Sequence, residues 1–268
     1  MSDAIQKRFA LAKDLARLGG QSTLQFFQQD NFDVIKKSDG SPLTLADQTC
    51  EKLIRAEIES AFPTDGIVGE EYGNKDSEQS VRWIVDPIDG TKSFISGVPL
   101  YGTMVAVEFD GEAKIGVCYF PGLDEIVFAC SGAGAWFAQG DAEPERAKVS
   151  EKSELADCVM VTSSSSGFGK RNAEQVWAEL DAKTYFSRTW GDAYGYMLVA
   201  TGKVDVMIDP ELCIWDAAAV KPIIEEAGGR YSDWSGEPKI DTGDAIGSNG
   251  CVHEEVLATI ASTLKTTS

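Results

Sequence analysis

The segment Trp83-Ile84-Val85-Asp86-Pro87-Ile88-Asp89-Gly90-Thr91 is an apolar run that ends on two carboxylates three residues apart, followed at once by Gly and Thr. Carboxylates gathered at the end of a strand suit a hard cation such as Mg²⁺. Gly-Thr at the start of a following helix suits a phosphate oxygen, because the first N–H groups of a helix have no partner inside it. A cation site beside an anion site is what metal-assisted phosphate hydrolysis needs. The same residues also spell an ordinary turn, since Asp-Pro and Asp-Gly are common turn formers and Thr is a common cap. The rest of the chain has to decide.

Two other places share the style. Gly69-Glu70-Glu71 follows the apolar Gly66-Ile67-Val68, so carboxylates again stand at a strand end. Trp215-Asp216 opens an apolar helix, where a carboxylate suits the positive end of the helix dipole. Taken singly, Glu70-Glu71 reads as a solvated loop and Asp216 as a cap. Taken together, three separated element ends each offer a carboxylate flanked by apolar sequence. The chain has one histidine, His253, which reads as a surface or capping residue of a terminal helix. A lone histidine so placed argues against Ser-His-Asp chemistry, His phosphotransfer and His-rich zinc sites, and acid–base work falls to carboxylates, hydroxyls and metal-bound water.

These residues need a scaffold, and the chain is long enough for one. It has 268 residues, 43% hydrophobic and 9% aromatic, which allows one large domain or two smaller lobes sharing a sheet. No apolar run approaches the roughly 18 residues of a membrane span, and Met1-Ser2-Asp3-Ala4 does not open a signal peptide, so the expected address is the cytoplasm. None of the six cysteines forms a C-x-x-C pair, and buried free thiols are expected. The net charge of −19 argues against nucleic acid and acidic membranes as partners. It also repels a phosphate substrate, unless bound divalent cations reverse the sign locally.

Apolar spacing predicts a long amphipathic helix over 3–29, a turn-rich stretch Lys36–Pro42, and a helix Thr44–Phe62 opened by Thr44 and Asp47 in capping-box spacing. Strands are expected at Gly66–Glu70 and Val81–Asp86. A hairpin over 102–120 turns at Asp110-Gly111, and further strands follow at Glu125–Cys130 and Ala135–Ala138. Gly132-Ala133-Gly134 reads as a turn and not as a dinucleotide loop. After the polar stretch 139–152 the pattern alternates. Strands are expected at Val159–Val161, Tyr185–Thr189, Val204–Ile208 and Ala245–Ser248, with helices at 170–182, Ala193–Thr201, Asp216–Ala227 and 253–265. This predicts a layered α+β or α/β architecture, with an N-terminal lobe at 1–145 and a C-terminal α/β lobe at 146–268.

The segments Gly69-Glu70-Glu71, Asp86-Pro87-Ile88-Asp89-Gly90-Thr91 and Trp215-Asp216, with Gly228-Gly229 following, resemble the signature elements of the inositol monophosphatase-like family over roughly residues 35 to 250. The resemblance implies a five-layer αβαβα fold, two or three Mg²⁺ ions, phosphomonoester hydrolysis and a homodimer. It implies that Glu70, Asp86 and the carbonyl of Ile88 hold one metal, and that Asp86, Asp89 and Asp216 hold another. Thr91 with Glu70 then orients the attacking water, the amides of Gly90 and Thr91 take the phosphate, and Asp47 supports the site from behind. Metal-bound water loses its proton near neutral pH, and two cations about 4 Å apart hold both the attacking and the leaving oxygen.

The stretch Thr91–Thr103 and Arg188-Thr189-Trp190-Gly191-Asp192-Ala193-Tyr194-Gly195-Tyr196 resemble the histidinol-phosphatase branch more than the inositol branch. An acid at Asp192 suits a substrate ammonium or imidazolium, although the same residue could simply cap the helix that follows. Asp209, in Ile208-Asp209-Pro210-Glu211, is the second expected substrate-binding acid, or else part of a plain turn. The expected substrate is a small phosphorylated molecule, L-histidinol phosphate first. Inositol 1-phosphate or sugar phosphates come second, and a catalytically inactive metal- or phosphate-binding regulator is the reading from another class.

Overall fold

The structure is a computed structural model that describes residues 2–29, 34–36 and 42–267. An eight-stranded sheet runs in the order Glu145–Arg146, Gly134–Gln139, Glu125–Cys130, Glu112–Phe120, Gly102–Phe109, Val81–Asp89, Gly66–Gly69, Gly73–Lys75. A five-stranded sheet follows in the order Phe186–Arg188, Val159–Val161, Val206–Asp209, Ala245–Ser248, Arg230–Ser232. The chain passes from the first sheet to the second between Arg146 and Val159.

The central strands are apolar on both faces, and each face has its own partner. Along Val81–Asp89, Trp83 and Val85 pack with Ala12, Leu15, Ile54 and Ile58 of the helices Asp3–Thr23 and Leu45–Ala61. Ile84, one residue out of phase, points the other way, as period-two alternation requires. There it joins Met104 and Cys118 in a core shared with Val199, Ala218 and Ile223 of three middle helices, Ala193–Ala200, Ile214–Ala218 and Val220–Glu226. Val161 and Met207 reach that core from the second sheet. The opposite face of the second sheet (Met160, Val206, Ile246) packs on Val176, Leu180, Val256 and Ile260 of the helices Glu174–Lys183 and His253–Thr267. Helix, sheet, helix, sheet, helix is the five-layer αβαβα arrangement.

Several elements differ from the sequence reading. The first helix ends at Thr23, not near residue 29, because Phe26 and Phe27 turn inward onto Phe94 and Tyr101. The helix expected over 216–227 is two helices that meet at Ala219, since Pro222 has no N–H to offer the carbonyl of Ala218. The helix expected over 170–182 is a turn at Gly167–Lys170 and a helix from Glu174, parted by Asn172 at φ 54°. The short strands Gly73–Lys75, Glu145–Arg146 and Arg230–Ser232 lie outside the strands expected from pattern. His253 is not a surface residue. It is fully buried, 2.8 Å from both the Ser232 and the Ser248 hydroxyl, and burial pulls its pKa down to about 4. Of the expected turn-rich stretch, residues 37–41 lie outside the described residues; Val34–Lys36 and Pro42–Thr44 pair as a small ribbon.

The Asp110-Gly111 turn has both residues at positive φ, as a tight two-residue hairpin requires. Thr44 and Asp47 form the capping box expected of them. Cys50, Cys118, Cys130 and Cys158 are buried free thiols, whereas Cys213 and Cys251 are exposed. Among the described residues no helix is long and apolar enough to cross a membrane.

Candidate active site

In a regular strand, residues three apart face opposite sides. Asp86 and Asp89 would then point away from each other. The pairing with the neighbouring strand slips between them, with Asp86 opposite Met104 and Asp89 opposite Gly102, so three steps on one strand match two on the other. The bulge contains Pro87, which has no N–H to lose from the ladder. It turns both carboxylates to the same side. Gly66–Gly69 runs parallel to this strand with Gly69 opposite Val85, which carries Glu70 to the same sheet end. Asp216 arrives from the middle layer in the first turn of Ile214–Ala218, where its Oδ2 accepts the Cys213 amide at 2.7 Å.

Among the described residues, Asp86, Asp89 and Asp216 each offer an oxygen within 4.8 Å of the others. Glu70, Ile88, Gly90, Thr91 and Asp192 line the same cavity of about 280 Å³. A second cavity of about 300 Å³ shares Lys92, Ser163, Asp192 and Glu211 with it. Gly90 sits at φ 78°, and a Cβ there would stand 3.0 Å from Asp192 Oδ2 and 3.1 Å from the Leu100 carbonyl. Only glycine fits that conformation and that space together. The Thr91 hydroxyl donates to the Ile88 carbonyl at 3.0 Å, so Thr91 does not cap the helix with its side chain.

Burial dominates the electrostatics. It drives the Asp86 and Asp89 carboxyls well above the usual range, with Glu70 the next cause at Asp86 and Asp192 at Asp89. Burial likewise pushes Asp216 up to about 7 and Asp47 up to about 6. Among the described residues the two cavities are lined by the acids Glu70, Asp86, Asp89, Asp192, Asp209, Glu211 and Asp216 against one cation, Lys92. Asp86 Oδ1 and Asp47 Oδ1 are buried without a hydrogen-bond partner. Orphaned buried carboxylate oxygens, all oxygen donors and a surplus of negative charge are the environment of a hard divalent cation.

The chain length, the layers and this carboxylate cluster match one family. A sequence profile for the inositol monophosphatase family spans residues 5–266. The chain belongs to the inositol monophosphatase family. The family is one of metal-dependent phosphoric monoester hydrolases. The histidinol-phosphatase of Chlorobaculum parvum is 39% identical over 251 residues, covering 93% of this chain and 95% of that protein. The histidinol-phosphatase of Mycobacterium tuberculosis is 35% identical over 247 residues, covering 92% and 95%. The solved inositol monophosphatase of Thermotoga maritima superposes with a TM-score of 0.83 at 29% identity, and the match covers 100% of both chains.

The two acids expected on the substrate side have different surroundings. Asp192 stands at the N-cap position of Ala193–Ala200 but makes no side-chain cap. Asp89 caps that helix instead, its Oδ2 accepting the Ala193 amide at 2.6 Å. Asp209 is fully buried at the edge of the second cavity. Its oxygens accept from the Ser163 amide, the Thr162 hydroxyl and the Tyr196 hydroxyl, and burial pushes its pKa up to about 6. Asp209 thus holds the Ser163 loop, while Glu211, two residues on, lines both cavities and pairs with Lys170 at 2.7 Å. The sequence reading missed Glu211; the alternation Asp209-Pro210-Glu211 beyond a strand end was its only signal.

The raised carboxyl pKa values set the sign of a metal effect. A carboxyl whose folded pKa lies above its unfolded value stabilises the fold at low pH, and that contribution is lost as pH rises through the folded value. A divalent cation held by these carboxylates would compete with those protons and take over their role above that pH. The rise in melting temperature on adding Mg²⁺ to chelated protein is therefore expected to be larger at about pH 8 than at about pH 5.5. Thermal melts with and without Mg²⁺ read this directly, and a shift independent of pH would mean that the ion binds elsewhere.

Proposed function

We propose that the protein is a Mg²⁺-dependent phosphatase that hydrolyses L-histidinol phosphate to L-histidinol and phosphate. The observation that carries this reading is the pairing of a carboxylate-rich metal site with a second cavity walled by the acids Asp192 and Glu211. A phosphate needs the first, and an amino alcohol with an imidazole suits the second. The histidinol-phosphatases at 39% and 35% identity support it from outside the structure.

In this reading Glu70, Asp86, Asp89, Asp216 and the Ile88 carbonyl hold two or three Mg²⁺ ions. When bound, the ions neutralise the phosphate and acidify a coordinated water. The amides of Gly90 and Thr91 receive the phosphate oxygens, which Gly90 admits because it has no side chain. Thr91 commits its proton to the Ile88 carbonyl, so its oxygen remains as an acceptor that orients the attacking water together with Glu70. Asp47 holds the start of its helix through the Thr44 amide and hydroxyl at 2.7 and 2.6 Å, and it lies near enough to Glu70 for that charge to add to the rise that burial causes in its pKa. Asp192 and Glu211 take the ammonium of the leaving alcohol as charge-assisted partners.

A homodimer fits the edge strand Phe186–Arg188, which is flanked by the exposed Tyr185 and Trp190; sedimentation analysis reads the state directly. The function is tested by phosphate release from histidinol phosphate and inositol 1-phosphate in parallel. Activity is expected to vanish in EDTA, return with Mg²⁺ and favour histidinol phosphate. A preference for inositol 1-phosphate would sink the substrate assignment, and full activity in chelated buffer would sink the metal reading.

A further inference from the structure

Glu51 is a fully buried carboxylate that the chemistry above leaves unused. It lies one turn beyond Asp47 on Leu45–Ala61, so both acids share the helix face beneath the site. Its Oε2 accepts the Glu71 amide at 2.7 Å, and its Oε1 accepts the Tyr72 amide at 3.2 Å. Arg55, the next residue on that face, donates to Glu51 Oε1 at 3.0 Å and to the Gly73 carbonyl at 2.9 Å. The turn that follows Glu70 is thereby tied to the helix at three backbone groups.

Gly69 makes room for this clamp. A Cβ at Gly69 would stand 2.0 Å from Glu51 Oε1, a separation no real pair of atoms adopts. The residue before Glu70 is therefore matched to the carboxylate that grips the residues after it. A second negative charge beside the carboxylate cluster is tolerable because Arg55 and two amides neutralise it.

We propose that Glu51 is a positioning residue. From the helix Leu45–Ala61 it holds the amides of Glu71 and Tyr72 and so fixes Glu70 against Asp86 in the metal site. The inference rests on Glu70 being a metal ligand. Partners that orient ligands in this way typically change metal affinity about ten- to a hundredfold when removed. Glutamine keeps the volume of Glu51, but it has one acceptor oxygen and turns an NH₂ toward an amide that needs an acceptor.

The experiment is calorimetric titration of Mg²⁺ into the metal-free full chain, without substrate. Glu51→Gln is expected to weaken Mg²⁺ binding about ten- to a hundredfold, while kcat at saturating Mg²⁺ stays within about threefold of the parent. Gly69→Ala, which displaces the same carboxylate, is expected to give the same weakening, and the double variant to be no worse than either single one. Parental Mg²⁺ affinity in Glu51→Gln, whatever its melting temperature, overturns the proposal and leaves Glu51 a packing residue. Additive losses overturn it too, since Gly69 would then act on Glu70 by itself. If Glu51→Gln does not fold, Arg55→Gln and Gly69→Ala carry the same comparison. Glu70→Gln is the control. If it binds Mg²⁺ as the parent does, the ligand reading of Glu70 fails first and takes the Glu51 inference with it. If it weakens binding and the clamp variants do not, the Glu51 inference alone fails.

Discussion

Asp89→Asn is expected to cut turnover about 10³-fold while the protein stays folded, because the substitution removes a charge and little else. In the structure Asp89 has two duties. Its Oδ2 caps Ala193–Ala200 through the Ala193 amide, and the carboxylate faces Asp86 and Asp216. An asparagine oxygen keeps the cap, since Asn is as good an acceptor there as Asp. The cation loses one of its negative neighbours. In the metal-free protein the same change removes a carboxyl that burial first, and then Asp192 and Asp216, make costly to ionise. The melting temperature in EDTA is therefore expected to rise, and the increment that Mg²⁺ adds to shrink. Phosphate release at saturating Mg²⁺ and melts in EDTA check the two halves. Parental turnover would remove Asp89 from the metal site. A lower melting temperature in EDTA would make it a structural acid only.

What the sequence displayed of this site was its local part. Asp86-Pro87-Ile88-Asp89-Gly90-Thr91 carries its own geometry: a proline that permits the bulge, a glycine that permits the turn, and a helix start. Thr44 and Asp47 likewise declare a helix start within four residues. Alternation of strands and helices made a layered architecture legible, and the family resemblance implied that the layers are five; central strands such as Val81–Asp89, buried on both faces, show why each sheet needs a cover on either side. His253 could have been placed inside, since His253, Val256 and Ile260 share one buried helix face. The kink at Pro222 was legible as well. Glu51 and Glu211 were not. Each looks like a surface acid in its own segment, and only the packing of a distant loop gives it a partner. Glu51 meets amides about 20 positions away, and Asp89 caps a helix that begins at residue 193. Such contacts follow from the layering of the fold, which local spacing does not encode.

Asp192→Asn is expected to lower kcat/KM for histidinol phosphate about ten- to a hundredfold, the worth of one charge-assisted hydrogen bond to an ammonium, and to leave hydrolysis of inositol 1-phosphate little changed. The backbone argues for a functional role here. Asp192 adopts φ 53° and ψ −158°, a region that side chains other than glycine avoid at a cost of about 1–3 kcal/mol. Its surroundings force it there. The Asp192 amide donates to the Ser163 hydroxyl at 2.8 Å, and the next amide is held by Asp89. Gly191 meets the Ser163 backbone so closely that a Cβ would stand 2.0 Å from it. A glycine at 192 would relax the strain, yet the chain has an acid whose Oδ2 stands over Gly90, between the phosphate amides and the second cavity. Since the carboxylate caps nothing, removing its charge spares the helix. Asp192→Gly sharpens the test. It is expected to show the same selective loss while raising the melting temperature roughly 2–4 °C, because relief of strain outweighs the added freedom of the unfolded chain by about 1 kcal/mol. Parallel kinetics on both substrates, with melts of both variants, decide the matter. Equal losses on the two substrates would tie Asp192 to the metals or the scaffold. A fall in melting temperature for Asp192→Gly would show that the side chain, and not the neighbouring backbone, holds the turn in place.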